Sequence, residues 1–267
     1  MNGATHNGQT IVLQSQHDAA LLGWQGRCSS SVERWSQRQD FRYRRQGDEL
    51  FERIDPELRR RFADQPVVLS DLARLLWLRE VLEEGFERAI WIDADVLVFR
   101  DFVLPETGDR FGRECWVQPD GTRLRSYRKL HNAWLQFSTG SAVLPYYIDR
   151  AQTLLSMAEA PVVPQFIGPK LLTAWHNIVP FNIEERVGML PPLAMAELLA
   201  EPSARSPALR LLCGDHAAPL CALNLCASYE NRSVDGVLHV GDDFHALIDV
   251  LQQSGTAALL DSLGARP

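Results

Sequence analysis

Residues 70–99 open with Ser70-Asp71-Leu72-Ala73-Arg74, run through LLWLREVLEEG to Gly85 and FERAIWI to Ile92, and end Asp93-Ala94-Asp95-Val96-Leu97-Val98-Phe99. Leu72, Leu75, Leu76, Leu78, Val81 and Leu82 recur three and four apart, which predicts a helix over 70–84 with a broad apolar face. Ser70 or Asp71 is placed to cap its start, and Gly85 to end it. Ala89–Ile92 follows as a buried strand carrying Trp91, then the acidic turn, then a second apolar stretch to Phe99. Helix, glycine, strand and acidic turn, in that order, put both aspartates at the carboxyl end of a strand, where open α/β sheets bind ligands.

The flanking sequence continues the alternation. Residues 11–15 suit a first buried strand, and 17–38 a loop followed by a helix with Trp24 and Trp35 on it. Phe41 and Tyr43 alternate in a second strand, and a helix follows Pro56 to Phe62. Strands are expected at Glu114–Gln118 and Trp134–Phe137, with helices within 141–158 and from Gly168 to Trp175. An Ala/Leu-rich helix is bracketed by Pro191, Pro192, Pro202 and Pro207; short strands at 221–227 and 236–240 precede a helical tail over 243–263. With no repeat or low-complexity tract, this predicts one α/β domain over 11–267 behind a flexible start at 1–10.

The bulk composition narrows the function classes. The 267 residues are 46% hydrophobic, enough to bury a sizeable core. A net charge of −7 argues against a nucleic-acid binder. The arginines at 42, 44, 45 and 59–61 read as solvated surface. Five scattered cysteines without a CxxC pair suggest free thiols in a reducing compartment. No run reaches the roughly 18 apolar residues of a membrane span. A cytoplasmic protein is expected, with room for peripheral contact at the inner face of a membrane.

Two carboxylates that converge in a turn are hard oxygen ligands suited to Mg²⁺ or Mn²⁺. A metal so held can bind a diphosphate and stabilise its charge. Asp71 and Arg74 sit three apart, on one helical face near the expected N-terminus, an end that favours anions. Arg74 can fork onto a phosphate or a carboxylate, and Asp71 can accept from sugar hydroxyls. A capping aspartate with a salt-bridged arginine is the plainer alternative for this pair.

The stretch from Ser70 to Phe99 resembles the S-D-x-x-R, helix, Gly, aromatic-x-D-x-D pattern of DXD glycosyltransferases of the GT-A fold. It is most similar to the family 32-like group that includes capsular polysaccharide transferases and clostridial toxin glucosyltransferases. The resemblance covers about thirty residues; one departure is Glu84-Gly85 where the pattern has two glycines. It implies a GT-A-like, Rossmann-like mixed sheet flanked by helices. It also implies a metal-dependent transfer of sugar from a nucleotide-diphosphate donor, of UDP-sugar or GDP-mannose type, to a glycan, lipid-linked or protein acceptor, with retention of configuration.

Carried onto this chain, Asp71 would hold sugar hydroxyls and Arg74 the sugar or diphosphate. Trp91 would lie near the nucleotide, Asp93 on ribose or sugar and on the metal through water, and Asp95 directly on the metal. Gln14 and Ser15, ending the first strand, fall where the family binds nucleobase and ribose. The further metal ligand is Asn224, in an N-x-x-x-S-Y segment resembling the family's H-x-x-x-S-W, or else His239. Gln165 and Lys170 are weaker candidates for donor or acceptor contacts. Two rivals are a haloacid-dehalogenase-type phosphatase and a non-catalytic nucleotide-sugar-binding protein. The phosphatase would use Asp93 as nucleophile, Asp95 as acid/base, Ser138, Lys170 and the acids at Asp242-Asp243.

Overall fold

A computed structural model of the chain describes residues 9–200, 206–255 and 259. Two βαβ units come first. Strand β1 (Thr10–Ser15) leads through helix α1 (Trp24–Arg38) to β2 (Arg42–Gln46). From there helices α2 (Pro56–Arg61) and α3 (Pro66–Glu83) lead to β3 (Arg88–Ile92). A short β4 (Val96–Val98) precedes a long hairpin, β5 (Arg110–Asp120) and β6 (Arg123–Ser138). Helices α4 (Val143–Met157) and α5 (Pro169–His176), then strands β7 (Ile183–Glu184) and β8 (Val187–Met189), follow. The remainder comprises α6 (Pro192–Leu199), α7 (Pro207–Gly214), β9 (Ala222–Asn224), the small pair β10 (Ser233–Val234) and β11 (Val237–Leu238), and α8 (Gly241–Ser254).

The main sheet has the order β2-β1-β3-β6-β5-β7. β1 runs parallel to both β2 and β3, and β6 runs antiparallel to β3 and β5. This is the mixed α/β sheet flanked by helices that the sequence implies. Alternate residues show both faces covered. Ile11, Leu13, Ala89 and Trp91 pack with the α3 side chains Leu72, Leu75 and Trp77, whereas Val12, Ile90 and Ile92 pack with Val32 and Trp35 of α1. A strand buried on both faces reads as a continuous apolar run, which is why IVL and AIWI carry no polar alternation. A second sheet, β4-β9-β8, extends β3's chain past the acidic turn, and helices α6, α7 and α8 cover it around Leu97, Leu223 and Phe244.

Two expectations need correction. Helix α3 starts at Pro66, not Ser70, so Asp71 and Arg74 lie in its second and third turns. Proline suits a first helical position because its missing N–H needs no partner there. Ser70 caps nothing; its Oγ accepts from Arg74. Asp71 and Arg74 therefore lie beyond the free N–H groups of the first turn, where a helix end binds anions. Residues 123–133, RLRSYRKLHNA, are strand rather than connection; β6 is 16 residues long. The proline-bracketed segment holds α6, and a further helix, α7, follows Ser206. The expected flexible start lies largely in residues 1–8, outside the described residues, as does much of the expected tail beyond Gly255. Among the described residues no helix is long and apolar enough to cross a membrane.

Candidate active site at the carboxyl edge of the sheet

The end of α3 sets the approach to the site. Gly85 adopts φ 105°, its N–H donates to Leu82 and the Phe86 N–H reaches back to Val81. That pattern reverses the chain and feeds it into β3. The strand ends at Ile92, where the Asp93 N–H donates to Ala133 on β6 at 2.9 Å. On the other side the Gln14 amide of β1 donates to the Asp93 carbonyl at 3.1 Å and accepts from the Tyr43 hydroxyl of β2 at 2.8 Å. Four strands thus converge on one turn.

Arg74 lies beneath it, buried. Its three guanidinium nitrogens lie within hydrogen-bond or ion-pair distance of five protein oxygens. Nε donates to the Ser70 carbonyl at 3.2 Å, Nη1 to the Asn132 carbonyl at 2.9 Å and Nη2 to Ser70 Oγ at 3.2 Å. Ion pairs join Nη1 to Asp93 Oδ1 at 2.9 Å and Nη2 to Asp71 Oδ1 at 3.1 Å. The same guanidinium carbon stands 5.0 Å from the Trp91 ring centre, and the Trp91 indole N–H donates to Asp93 Oδ1 at 2.6 Å. Asp71 Oδ1 also accepts from Asn132 Nδ2 at 2.6 Å. Burial pushes the Asp71 carboxyl up to about 6, against the opposing pull of Arg74 and Asn132.

Asp95 is held from the opposite side. Its Oδ1 accepts from Asn224 Nδ2 and its Oδ2 from the Ala227 N–H, both at 2.9 Å. Burial, with the neighbouring Asp93 charge, raises its pKa to about 6. The Asn224 carbonyl oxygen accepts from the Cys226 N–H at 2.7 Å. Turning that amide over would set oxygen against carboxylate and NH₂ against N–H, so its orientation is fixed by its neighbours. Asn224 therefore orients Asp95, and its oxygen is already committed.

The predicted residues separate into groups. Asp95 and Asn224 form one bonded pair, joined through the backbone of the turn to a larger network of Asp71, Arg74, Trp91, Asp93 and Gln14. Within that network, Gln14, Asp71, Arg74 and Trp91 are buried, which suits them to positioning; Trp91 at 2% exposure has no free face for a base. Ser15 is half-buried at the end of β1, its hydroxyl donating to the Gly47 carbonyl. His239 lies outside the network: its Nε2 faces the Pro192 carbonyl at 3.0 Å and its Nδ1 Asp243 at 3.6 Å. Trp24 and Trp35 are core residues, the first stacked on Phe244 and the second against Phe102. All five cysteines are unpaired among the described residues.

The phosphatase arrangement does not assemble. Ser138 pairs with Arg88, at the far end of β3 from Asp93. Asp243 accepts from the Val240 N–H at the start of α8 and bonds to neither aspartate of the turn. One participant went unnoticed in the sequence. The Ala227 N–H is a backbone donor that no side-chain motif announces. Gln16, just past β1, accepts from Ser29 while its Nε2 lacks a partner among the described residues.

Asp93 and Asp95 suit a divalent cation. Both are hard oxygen donors, and Asp93 Oδ2 takes no hydrogen bond from the described residues. Among those residues no group of three or more His, Cys, Asp or Glu side chains is gathered to hold a metal. Two carboxylates alone are the kind of protein donor that Mg²⁺ supplements with water and substrate phosphates.

No family model matches the chain, and no curated protein matches it. Among solved structures it is similar to a glycosyltransferase involved in the glycosylation of the major capsid of PBCV-1. The likeness has 10% identity and a TM-score of 0.45, over 90% of this chain and 98% of that one.

Proposed function

We propose that this chain is a divalent-metal-dependent glycosyltransferase acting on a nucleotide-diphosphate sugar. The observation that carries the reading is the bonded set Asp71–Arg74–Asp93, with Asp95 pinned by Asn224 and Ala227, at the carboxyl edge of a parallel β1–β3 pair. A structural ion pair needs only two partners. Here two acids, Asp71 and Asp93, share one guanidinium, and Asp93 Oδ2 takes no hydrogen bond from the described residues.

Asp93 and Asp95 would hold Mn²⁺ or Mg²⁺, which when bound would neutralise the diphosphate charge developing as the sugar departs. Arg74 offsets the mutual repulsion of the acids before any ligand enters, and it fixes Asp93 together with Trp91. Asp71 anchors Arg74 from below. Ser15 and Gln16, at the carboxyl end of β1, would meet the nucleoside. UDP-sugars and GDP-mannose are the donors to try first, and retention of configuration is the stereochemistry expected from the motif.

The test is nucleotide-sugar hydrolysis or transfer across a donor panel with and without Mn²⁺. Asp95→Asn should lower the metal-dependent rate by about a hundredfold or more, equivalent to about 2.7 kcal/mol. Undiminished turnover in that variant would end the proposal. Metal-dependent donor binding without turnover over many acceptors would instead make the chain a non-catalytic nucleotide-sugar binder.

A further inference from the structure

A cleft of about 600 Å³ lies between the β5–β6 hairpin, helix α5 and the turn at Ala227–Tyr229. Both of its flanking walls are rooted in the acidic site. On one side Tyr229 stands two residues beyond Ala227, whose N–H holds Asp95. On the other, α5 begins directly after Gly168, which packs so closely on Asp71 and Asn132 that a Cβ there would lie 2.5 Å from Asp71 Oδ2. The walls of the cleft are thus tied by short connections to the residues that contact Asp71 and Asp95.

Its lining is mixed in a particular way. Trp116 and Tyr229 meet at 5.4 Å with their planes 49° apart, an open aromatic corner rather than a parallel slot for a flat base. Glu114 is buried on the floor with Lys129 Nζ at 3.6 Å, and Lys170 and Asn177 are exposed along the α5 side. Aromatic faces accept the C–H side of a sugar ring, while a carboxylate, an amide and ammonium groups pair with its hydroxyls.

We infer that this cleft is the acceptor subsite and that its occupant is a carbohydrate. This rests on the transferase reading for its role in a reaction, but the binding stands on the cleft alone. A nucleic acid is disfavoured by the buried carboxylate and the net charge of −7.

The experiment applies the intact chain to a printed oligosaccharide array beside the double variant Lys170→Ala/Asn177→Ala. Both side chains are exposed, and an unchanged melting temperature verifies the fold. The wild type should retain a subset of oligosaccharides, and the double variant should bind them about tenfold more weakly, as expected for two lost hydrogen bonds. No retention by the wild type, or equal affinity in the double variant, overturns the proposal. So does retention confined to sulfated glycans and abolished by salt, which would be simple ion exchange. Failure of Mn²⁺-dependent donor turnover in the same preparation would remove the transferase reading and leave the array result intact.

Discussion

Arg74 shows why residue type alone does not give a role. A guanidinium three residues from an aspartate can grip a phosphate or stiffen a protein, and its neighbours decide. With Ser70, Asn132, Asp71 and Asp93 around its nitrogens, it acts on the site through the carboxylates it holds. Arg74→Ala should therefore cost about 3–5 kcal/mol of folding stability, because it strands the buried Asp71, and urea denaturation measures it. His131 makes a second prediction at this scale. Burial lowers its pKa to about 3, with Nδ1 accepting from the Ala133 N–H. The unfolded chain takes up a proton below about 6.5, and the folded one does not until about pH 3. Its contribution is thus complete above pH 6.5 and is lost on acidification, by up to about 1.4 kcal/mol per pH unit. The stability difference between wild type and His131→Gln should shrink along that window. Asp71 and Asp95 work in the opposite sense: their raised values near 6 favour the folded state at low pH and cease to do so as pH rises through 6.

At the scale of elements, the decisive feature is the reversal between α3 and β3. Helix α3 packs Leu72, Leu75 and Trp77 on the sheet, and the turn at Gly85 delivers β3 antiparallel to it. A side chain at φ 105° is strained, so Gly85→Ala should destabilise by about 1–3 kcal/mol, seen as a lower urea midpoint with an unchanged slope. The helix itself was legible in its leucine spacing. Its first turn was not, because Pro66-Val67-Val68-Leu69 carries no capping side chain. Likewise the first half of β6 was not read as strand. Arg123, Arg125, Arg128 and Lys129 are solvated there, and what makes the segment a strand is its pairing with β5, a non-local partner.

For the whole molecule, the two sheets meet at the acidic turn: Asp93 ends a strand of one, and Asp95 precedes a strand of the other. The late segment 222–227 reaches Asp95 from more than 120 residues away, through Asn224 and Ala227. A ligand that bridges these parts should stabilise the entire fold. A preferred nucleotide sugar at about 100 times its Kd, with Mn²⁺, should add about 2.7 kcal/mol, and a thermal scan should rise by about 5–10 °C. Chelation with EDTA should return the melting temperature to that of the free chain; an unchanged value with and without metal would count against the cation site.

Local pattern was sufficient for the α/β class, for α3 and β3, and for the position of Asp93 and Asp95 at a strand's carboxyl end, because helix and strand periodicities and glycine stops act over neighbouring residues. The partners of those acids were decided in three dimensions. That Arg74 is enclosed, that Asn224 turns its NH₂ to Asp95, that His239 faces Pro192 and that the Ala227 amide completes the turn all depend on which distant backbone arrives beside which carboxylate. Burial and hydrogen-bond pairing are properties of that packed neighbourhood, and one-dimensional spacing carries no record of it.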